Sequence, residues 1–190
     1  STSFYMTNGT YFSANARCLP KNIQCISAGE KIVIGSLVVE AFAVPHDGVE
    51  TVCYRVGSMG HWAGVITDLG HVTDEVLDKM RSLSLMVLEF NHDELMLING
   101  DYNEALKGRI LSDYGHLSNK QAAIALEKAV SPRLQHVLVA HVSDSNNRYE
   151  LAKQAACIAI ENTGHTDIVQ LHIAEQHKPS SIYRVNQTKL

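Results

Sequence analysis

Val137-Leu138-Val139-Ala140-His141-Val142-Ser143 is a run of four aliphatic or small residues that ends at a histidine, and the polar stretch Asp144-Ser145-Asn146-Asn147 follows it. An unbroken apolar run of this length, bounded by loop residues, reads as a strand buried on both faces. Such strands belong to parallel sheets, whose carboxyl ends form the edge where ligands bind. Three other apolar runs end in the same way. Phe42-Ala43-Val44-Pro45 leads into His46-Asp47, Ala63-Gly64-Val65-Ile66-Thr67 into Asp68, and Leu85-Met86-Val87-Leu88 into Glu89 and then Asn91-His92-Asp93. Several strand ends carrying His, Asp or Glu predict convergence on a polyvalent cation.

Around these runs the chain alternates. Phe4-Tyr5-Met6-Thr7 reads as a short strand, Asn8-Gly9 as a turn, and Thr10 to Cys18 as a short helix stopped by Leu19-Pro20. Lys31 to Val56 reads as β structure with a turn at Gly35-Ser36, and Trp62 to Thr67 as the next strand. Thr73 caps a helix whose first turn carries Asp74 and Glu75 and whose apolar face is Val76, Leu77, Met80 and Leu83. A helix is predicted around residues 103–112. Ser118-x-x-Gln121 is a capping box opening an Ala-rich helix to about Val130. Asn147-x-x-Glu150 reads as the cap of a last long helix that Gly164 ends, and Ile168 to Ile173 as a closing strand. Strands alternating with capped helices after a β-rich block predict an α/β or mixed (α+β) sandwich, one domain over residues 1–190.

A formal charge of −4 excludes a global electrostatic footprint for long nucleic acid, so any such chemistry depends on a local site. Ten histidines shift the reading toward metal chemistry. The four cysteines (Cys18, Cys25, Cys53, Cys157) form no Cys-x-x-Cys pair and read as buried free thiols in a reducing cytoplasm. No apolar run approaches membrane-spanning length, and no membrane role is predicted.

His46, Asp68 and His141 are the metal candidates, because a hydrolytic centre wants imidazole nitrogens and a carboxylate on rigid strand ends. Each also has a plainer explanation: a turn residue after Pro45, a loop cap before Leu69-Gly70, a histidine bonded to backbone. His116 follows Gly115 in a loop that enters a capped helix, which suits a proton donor to a leaving oxygen or a clamp on a phosphoryl group; a simple exposed loop histidine fits as well. Glu89 closes an apolar strand, where an unpaired carboxylate is costly, so a histidine partner such as His116 is predicted. Asn91, His92 and Asp93 either line the pocket or cap a turn. Lys107 and Arg109 either offer charge to a phosphate or form a solvated helix face. His61, His71, His136, His165, His172 and His177 share no useful spacing and read as structural or surface groups.

The series Val44-Pro45-His46-Asp47, Tyr54-Arg55-Val56, Ile66-Thr67-Asp68-Leu69-Gly70, Leu88-Glu89-Phe90-Asn91-His92-Asp93, Gly115-His116-Leu117-Ser118-Asn119 and Ala140-His141-Val142-Ser143 resembles the metallo-β-lactamase superfamily. Within it the chain resembles the YycJ/VicX-like branch of metal-dependent hydrolases with nuclease activity, and more distantly the tRNA 3′-processing endonuclease. The resemblance runs from about Phe4 to about Gly164. It implies an αββα sandwich and a two-metal centre of Zn or Mn. His46, Asp68 (bridging) and His141 would be ligands, His116 would assist phosphodiester cleavage, and Glu89 would be its acidic companion. Beside those carried over from the family, Asn91, His92, Arg109 and Asn146 are the candidates to meet the substrate, a nucleic acid or small phosphodiester. Cys53 stands where the family commonly has glycine.

One departure is large: the family's His-x-His-x-Asp-His motif occurs nowhere in the 190 residues. The opening Phe4 to Thr10 resembles the segment after that motif, so the expectation is the C-terminal portion of the fold without its first strands. Exposed apolar sheet surface is then predicted, covered by a second copy or a further segment. Two other readings stand beside the phosphodiesterase: a hydrolase of a small ester, thioester or cyclic phosphate, and a catalytically silent binding or assembly domain.

Overall fold

The computed structural model describes residues 2–185. The elements follow in the order β1 (Phe4–Met6), α1 (Asn8–Ser13), β2 (Ile23–Cys25), β3 (Lys31–Ile34), β4 (Leu37–Ala43), β5 (Val52–Ser58), β6 (His61–Ile66), α2 (Asp74–Arg81) and β7 (Leu85–Glu89). Then come α3 (Glu94–Asn99), α4 (Glu104–Ile110), α5 (Asn119–Ala129), β8 (His136–Ala140), α6 (Tyr149–Asn162) and β9 (Gln170–Ile173). A seven-stranded sheet holds β3 to β9 in sequence order, and β1 and β2 form a separate parallel pair. Strands β3 to β6 are joined by antiparallel hairpins, whereas β6 to β9 run parallel through helical crossovers. The mixed α/β class predicted from the sequence is the one observed.

Alternation along the parallel strands sends Met86, Leu88, Val137 and Val139 to one face, where Val76 and Met80 of α2, Leu126 of α5 and Ala156 of α6 cover them. Strand β8 is buried along its whole length, as its unbroken apolar run requires. On the opposite face Val56 and Val65 remain 36% and 51% exposed, with Leu85 and Val87 only partly covered. Apolar sheet surface is therefore open among the described residues.

Glu40 ties the helical layer to the antiparallel half of the sheet. Its carboxylate is 2% exposed and accepts from Lys79 Nζ of α2 at 2.6 Å and from Arg55 Nε and Nη2 of β5 at 2.9 and 2.6 Å. The Arg55 guanidinium also lies 4.3 Å over the Trp62 ring. Burial alone would raise the Glu40 carboxyl, but the hydrogen bonds from Lys79 and Arg55 hold it below its ordinary range. Removing one member of a buried ion pair typically costs about 3–5 kcal/mol, because the partner charge is left uncompensated. Glu40→Ala is expected to lower stability by that order, read as a shift of the urea midpoint; a shift no larger than that of an exposed Glu→Ala control would refute the tether.

Several local expectations are corrected. Asn8-Gly9 is no turn: Thr7 Oγ1 accepts from Thr10 N, and the two residues start α1. Helix α3 is not evident in the sequence because its six residues, Leu95 to Ile98 all apolar, are too few to show a helical period; Asp93 caps it by accepting from Met96 N. Asn147 does not cap α6. Arg148 is the N-cap without a side-chain bond, and Asn147 is buried, donating from Nδ2 to Phe90 O and pairing with Asn119. Of the four cysteines only Cys53 is buried; Cys18, Cys25 and Cys157 are exposed free thiols. Apolar neighbours in sequence do not bury a side chain on a short edge element or an outer helix face. No helix among the described residues is long and apolar enough to cross a membrane.

Candidate metal centre

Two of the strand-end residues are held in unusual backbone conformations. Asp68, just beyond β6, has φ of 62°, and His141, directly after β8, has φ of 53°. Neither is glycine, and left-handed backbone is costly for such residues, so the surrounding contacts must impose it. The turn it makes aims both side chains back across the carboxyl edge of the sheet.

His46 arrives from the loop after β4. Its Nδ1 lies 3.0 Å from Gly115 O, which can only accept, so Nδ1 carries the proton and Nε2 offers a lone pair. His141 is set in the same sense: Nδ1 donates to Glu89 Oε2 at 2.5 Å. The two free Nε2 atoms then converge on one carboxylate oxygen, Asp68 Oδ1, at 3.8 Å from His46 and 3.7 Å from His141. Two imidazole lone pairs and a carboxylate facing one point are a donor set for a divalent cation.

Glu89 organises this arrangement from below. It is fully buried, and Oε2 accepts from Asp68 N at 3.0 Å, His116 Nδ1 at 3.1 Å and His141 Nδ1 at 2.5 Å, while Oε1 accepts from Leu117 N at 2.7 Å. Burial pushes its carboxyl up, but the histidine hydrogen bonds outweigh that and bring it down to about 2. Reciprocally, the Glu89 bond raises His141 above the ordinary histidine value. Ligand-type atoms of Asp68, Glu89, His116 and His141 all fall within 4.8 Å of one another. Glu89 nevertheless acts best as an orienting group, since both its oxygens already serve N–H donors; His46, outside that group, has its free nitrogen on Asp68.

His116 completes a row of three rings, with centroids 5.0 Å from His46 and 5.2 Å from His141. Its Nδ1–H is bonded to Glu89, so Nε2 is the atom that faces outward. The loop that holds it is tight: a Cβ at Gly115 would meet Ile110 O at 2.1 Å, so only glycine lets His116 N reach that carbonyl at 3.0 Å.

The remaining candidates separate. Asn91 borders the site, with Nδ2 donating to His141 O at 3.1 Å. Arg109 is exposed and ion-paired with Asp47, which holds the Asp47 carboxyl below its usual range. Asp47 Oδ1 is in turn 3.4 Å from His46 Nε2. Sequence reasoning placed Asp47 only in a turn; its position beside a metal-candidate histidine was the available signal. His92 and Asn146 lie beneath the site and do not line it, at 1% and 2% exposure. His92 O accepts from Asn119 N, joining the loop before α3 to the start of α5, and Asn146 O accepts from Asp93 N, joining the α3 cap to the segment before α6.

A family model described as a beta-lactamase superfamily domain matches residues 5–141. Exodeoxyribonuclease YycJ of Bacillus anthracis is 33% identical over 161 residues, covering 84% of this chain and 61% of that protein. Exodeoxyribonuclease WalJ of Streptococcus pneumoniae is 36% identical over 124 residues, covering 65% of this chain and 46% of that protein. The chain thus spans about half to three fifths of the length of these curated relatives. Among solved structures, the metallo-beta-lactamase fold protein YhfI from Bacillus subtilis superposes with a TM-score of 0.64 at 12% identity, over 91% of this chain and 62% of that one. Zn(2+)-bound PqqB from Methylobacterium extorquens superposes with a TM-score of 0.56 at 16% identity, over 90% and 59%. These two likenesses are of fold alone.

Proposed function

The chain belongs to the beta-lactamase superfamily, and on that premise we propose that it carries one side of a divalent-metal centre that hydrolyses phosphodiester bonds in DNA. The single observation behind the proposal is the convergence of His46 Nε2 and His141 Nε2 on Asp68 Oδ1, with both Nδ1 atoms fixed by acceptors. DNA is chosen because relatives at about a third identity are named exodeoxyribonucleases. The metal is Zn or Mn, and the complete centre holds two ions; His46, Asp68 and His141 are this chain's share of the ligands. When bound, such ions supply Lewis acidity, polarising phosphoryl oxygens and stabilising the charge that builds on them.

The chain's own residues do the rest. Glu89 keeps the Nδ1 protons of His116 and His141 in place, which leaves each Nε2 on the reactive side. His116 passes a proton from Nε2 to the departing oxygen, while its Nδ1–H stays on buried Glu89 and fixes the ring's orientation. Arg109, released from Asp47, is the cation near His46 for a neighbouring phosphate.

The test pairs metal content with cleavage. Chain loaded with Zn²⁺ or Mn²⁺ and desalted is compared with the double variant His46→Ala, His141→Ala, and end-labelled single- and double-stranded DNA is offered to both. Retained metal that disappears in the double variant, with chelator-sensitive cleavage lost alongside it, is the expected result. Equal metal retention in both proteins would refute the ligand assignment. Retained metal without cleavage of any DNA would refute the nuclease reading and favour another phosphate or ester substrate.

A further inference from the structure

Beyond His141 the row of histidines opens into a cavity of about 520 Å³. That is within the usual range for a small-molecule site. His46 and Asp68 are not among its lining residues; its walls come from the segments that follow β7, β8 and β9. Two of them are aromatic. Tyr102 stands in the link between α3 and α4, and Tyr149 is the first residue of α6, its hydroxyl accepting from Gln176 N at 3.2 Å. Asn91, Ser145 and Gln176 add neutral polar groups, and Asp144 is the one carboxylate among the lining residues.

The chemistry of this lining is divided from that of the centre. Among the described residues no lysine or arginine lines the cavity, so they offer a phosphate no cation there. Uncharged, flat and hydrogen-bonding groups suit it instead, because aromatic faces accept any base and amide or hydroxyl groups meet its edges. We propose that this cavity is a nucleoside subsite, taking the base and sugar next to a phosphate seated at His141, with Tyr102 and Tyr149 as its stacking walls. The assignment rests on the DNA-hydrolysis reading above and deepens it by naming the residues that take the nucleoside beside the phosphate. Tyr149 is held by its place in α6 and by its hydroxyl bond, and Tyr102 lines the same cavity from the segment between α3 and α4.

Binding by the metal-free chain tests this without any cleavage. dAMP and deoxyribose 5-phosphate are titrated separately into wild type, Tyr102→Phe and Tyr102→Ala, with calorimetry for Kd and NMR for the tyrosine rings. The expected result is tighter binding of dAMP than of the sugar phosphate, with shifts at Tyr102 and Tyr149. Tyr102→Ala should weaken dAMP roughly 5- to 150-fold, the range for losing one stacked base, and leave the sugar phosphate unchanged. Tyr102→Phe, which keeps the π-face, should stay near wild type. Equal affinity for the two ligands, or dAMP shifts that avoid both tyrosines, would overturn the subsite even if DNA is cleaved. Base-dependent binding in a chain that cleaves no DNA would instead uphold the subsite and overturn the hydrolase reading alone. The wild-type ring shifts decide the matter should Tyr102→Ala fail to fold.

Discussion

His116→Ala should slow DNA cleavage by about 10²- to 10⁴-fold while leaving metal content at the wild-type level, because a positioned general acid contributes a factor of that order. The geometry separates the two roles. His46 and His141 direct Nε2 at Asp68 Oδ1, whereas His116 is linked to the site through Glu89 and the two flanking imidazole rings. A donor to a leaving group also leaves a chemical signature. Activity of the variant should recover in part on a substrate whose leaving group departs without a proton, such as a nitrophenyl ester of a nucleotide. Loss of bound metal in His116→Ala would reassign this histidine as a ligand, which its proximity to Asp68 and His141 permits geometrically.

Replacement of Glu89 should be the most damaging single change for the site as a whole. Its two oxygens satisfy Asp68 N, Leu117 N and the Nδ1 groups of His116 and His141, all at a position with no solvent access. Glu89→Gln replaces one acceptor oxygen with an NH₂ group that faces N–H donors, so at least one of these donors loses its partner. Losing an orienting partner costs metal sites about 10- to 100-fold in affinity, and a buried donor left unsatisfied costs roughly 1–3 kcal/mol. Metal retention and the urea midpoint should therefore fall together. A pH series adds a sign. The Glu89 carboxyl sits at about 2 in the fold against an ordinary 4.5, so its contribution is present above about 4.5 and is lost as pH falls toward 2. His141 runs the other way: its value is raised, so that contribution is full below the ordinary histidine value and fades as pH rises through the raised one. The metal-free wild type should thus lose stability below about pH 4.5 more steeply than Glu89→Gln. Parallel acid limbs in the two proteins would mean that Glu89 is not the group that senses the histidines.

The strand ends were legible because each is a local pattern. Leu85 to Glu89 and Val137 to His141 are unbroken apolar runs that meet a polar residue, and burial of the run fixes where that residue emerges. The same holds for Thr73 and Ser118, whose side chains cap α2 and α5 as their spacing to Val76 and Gln121 requires. His46, Asp68, Glu89, His116 and His141 could therefore be singled out by position, and the sheet order brings their segments to one edge.

What the sequence by itself determined is which residues follow the ends of apolar strands, because apolar runs and caps are written within a few residues of each other. Tertiary structure alone decided the work each residue does. The cost of burying Glu89 already calls for a histidine partner such as His116, 27 residues away; that His141, 52 residues away, shares the same oxygen is decided by the fold. His92 shares a polar triplet with Asn91, yet it turns inward because its backbone carbonyl is claimed by Asn119 N at the start of α5. Asp47 comes beside His46 Nε2, and Tyr102 to the cavity at His141, only through loops that the assembled sheet positions. The left-handed backbone at Asp68 and His141 is likewise fixed by the fold: Asp and His tolerate it better than most residues, but no local signal in the sequence calls for it at these two positions.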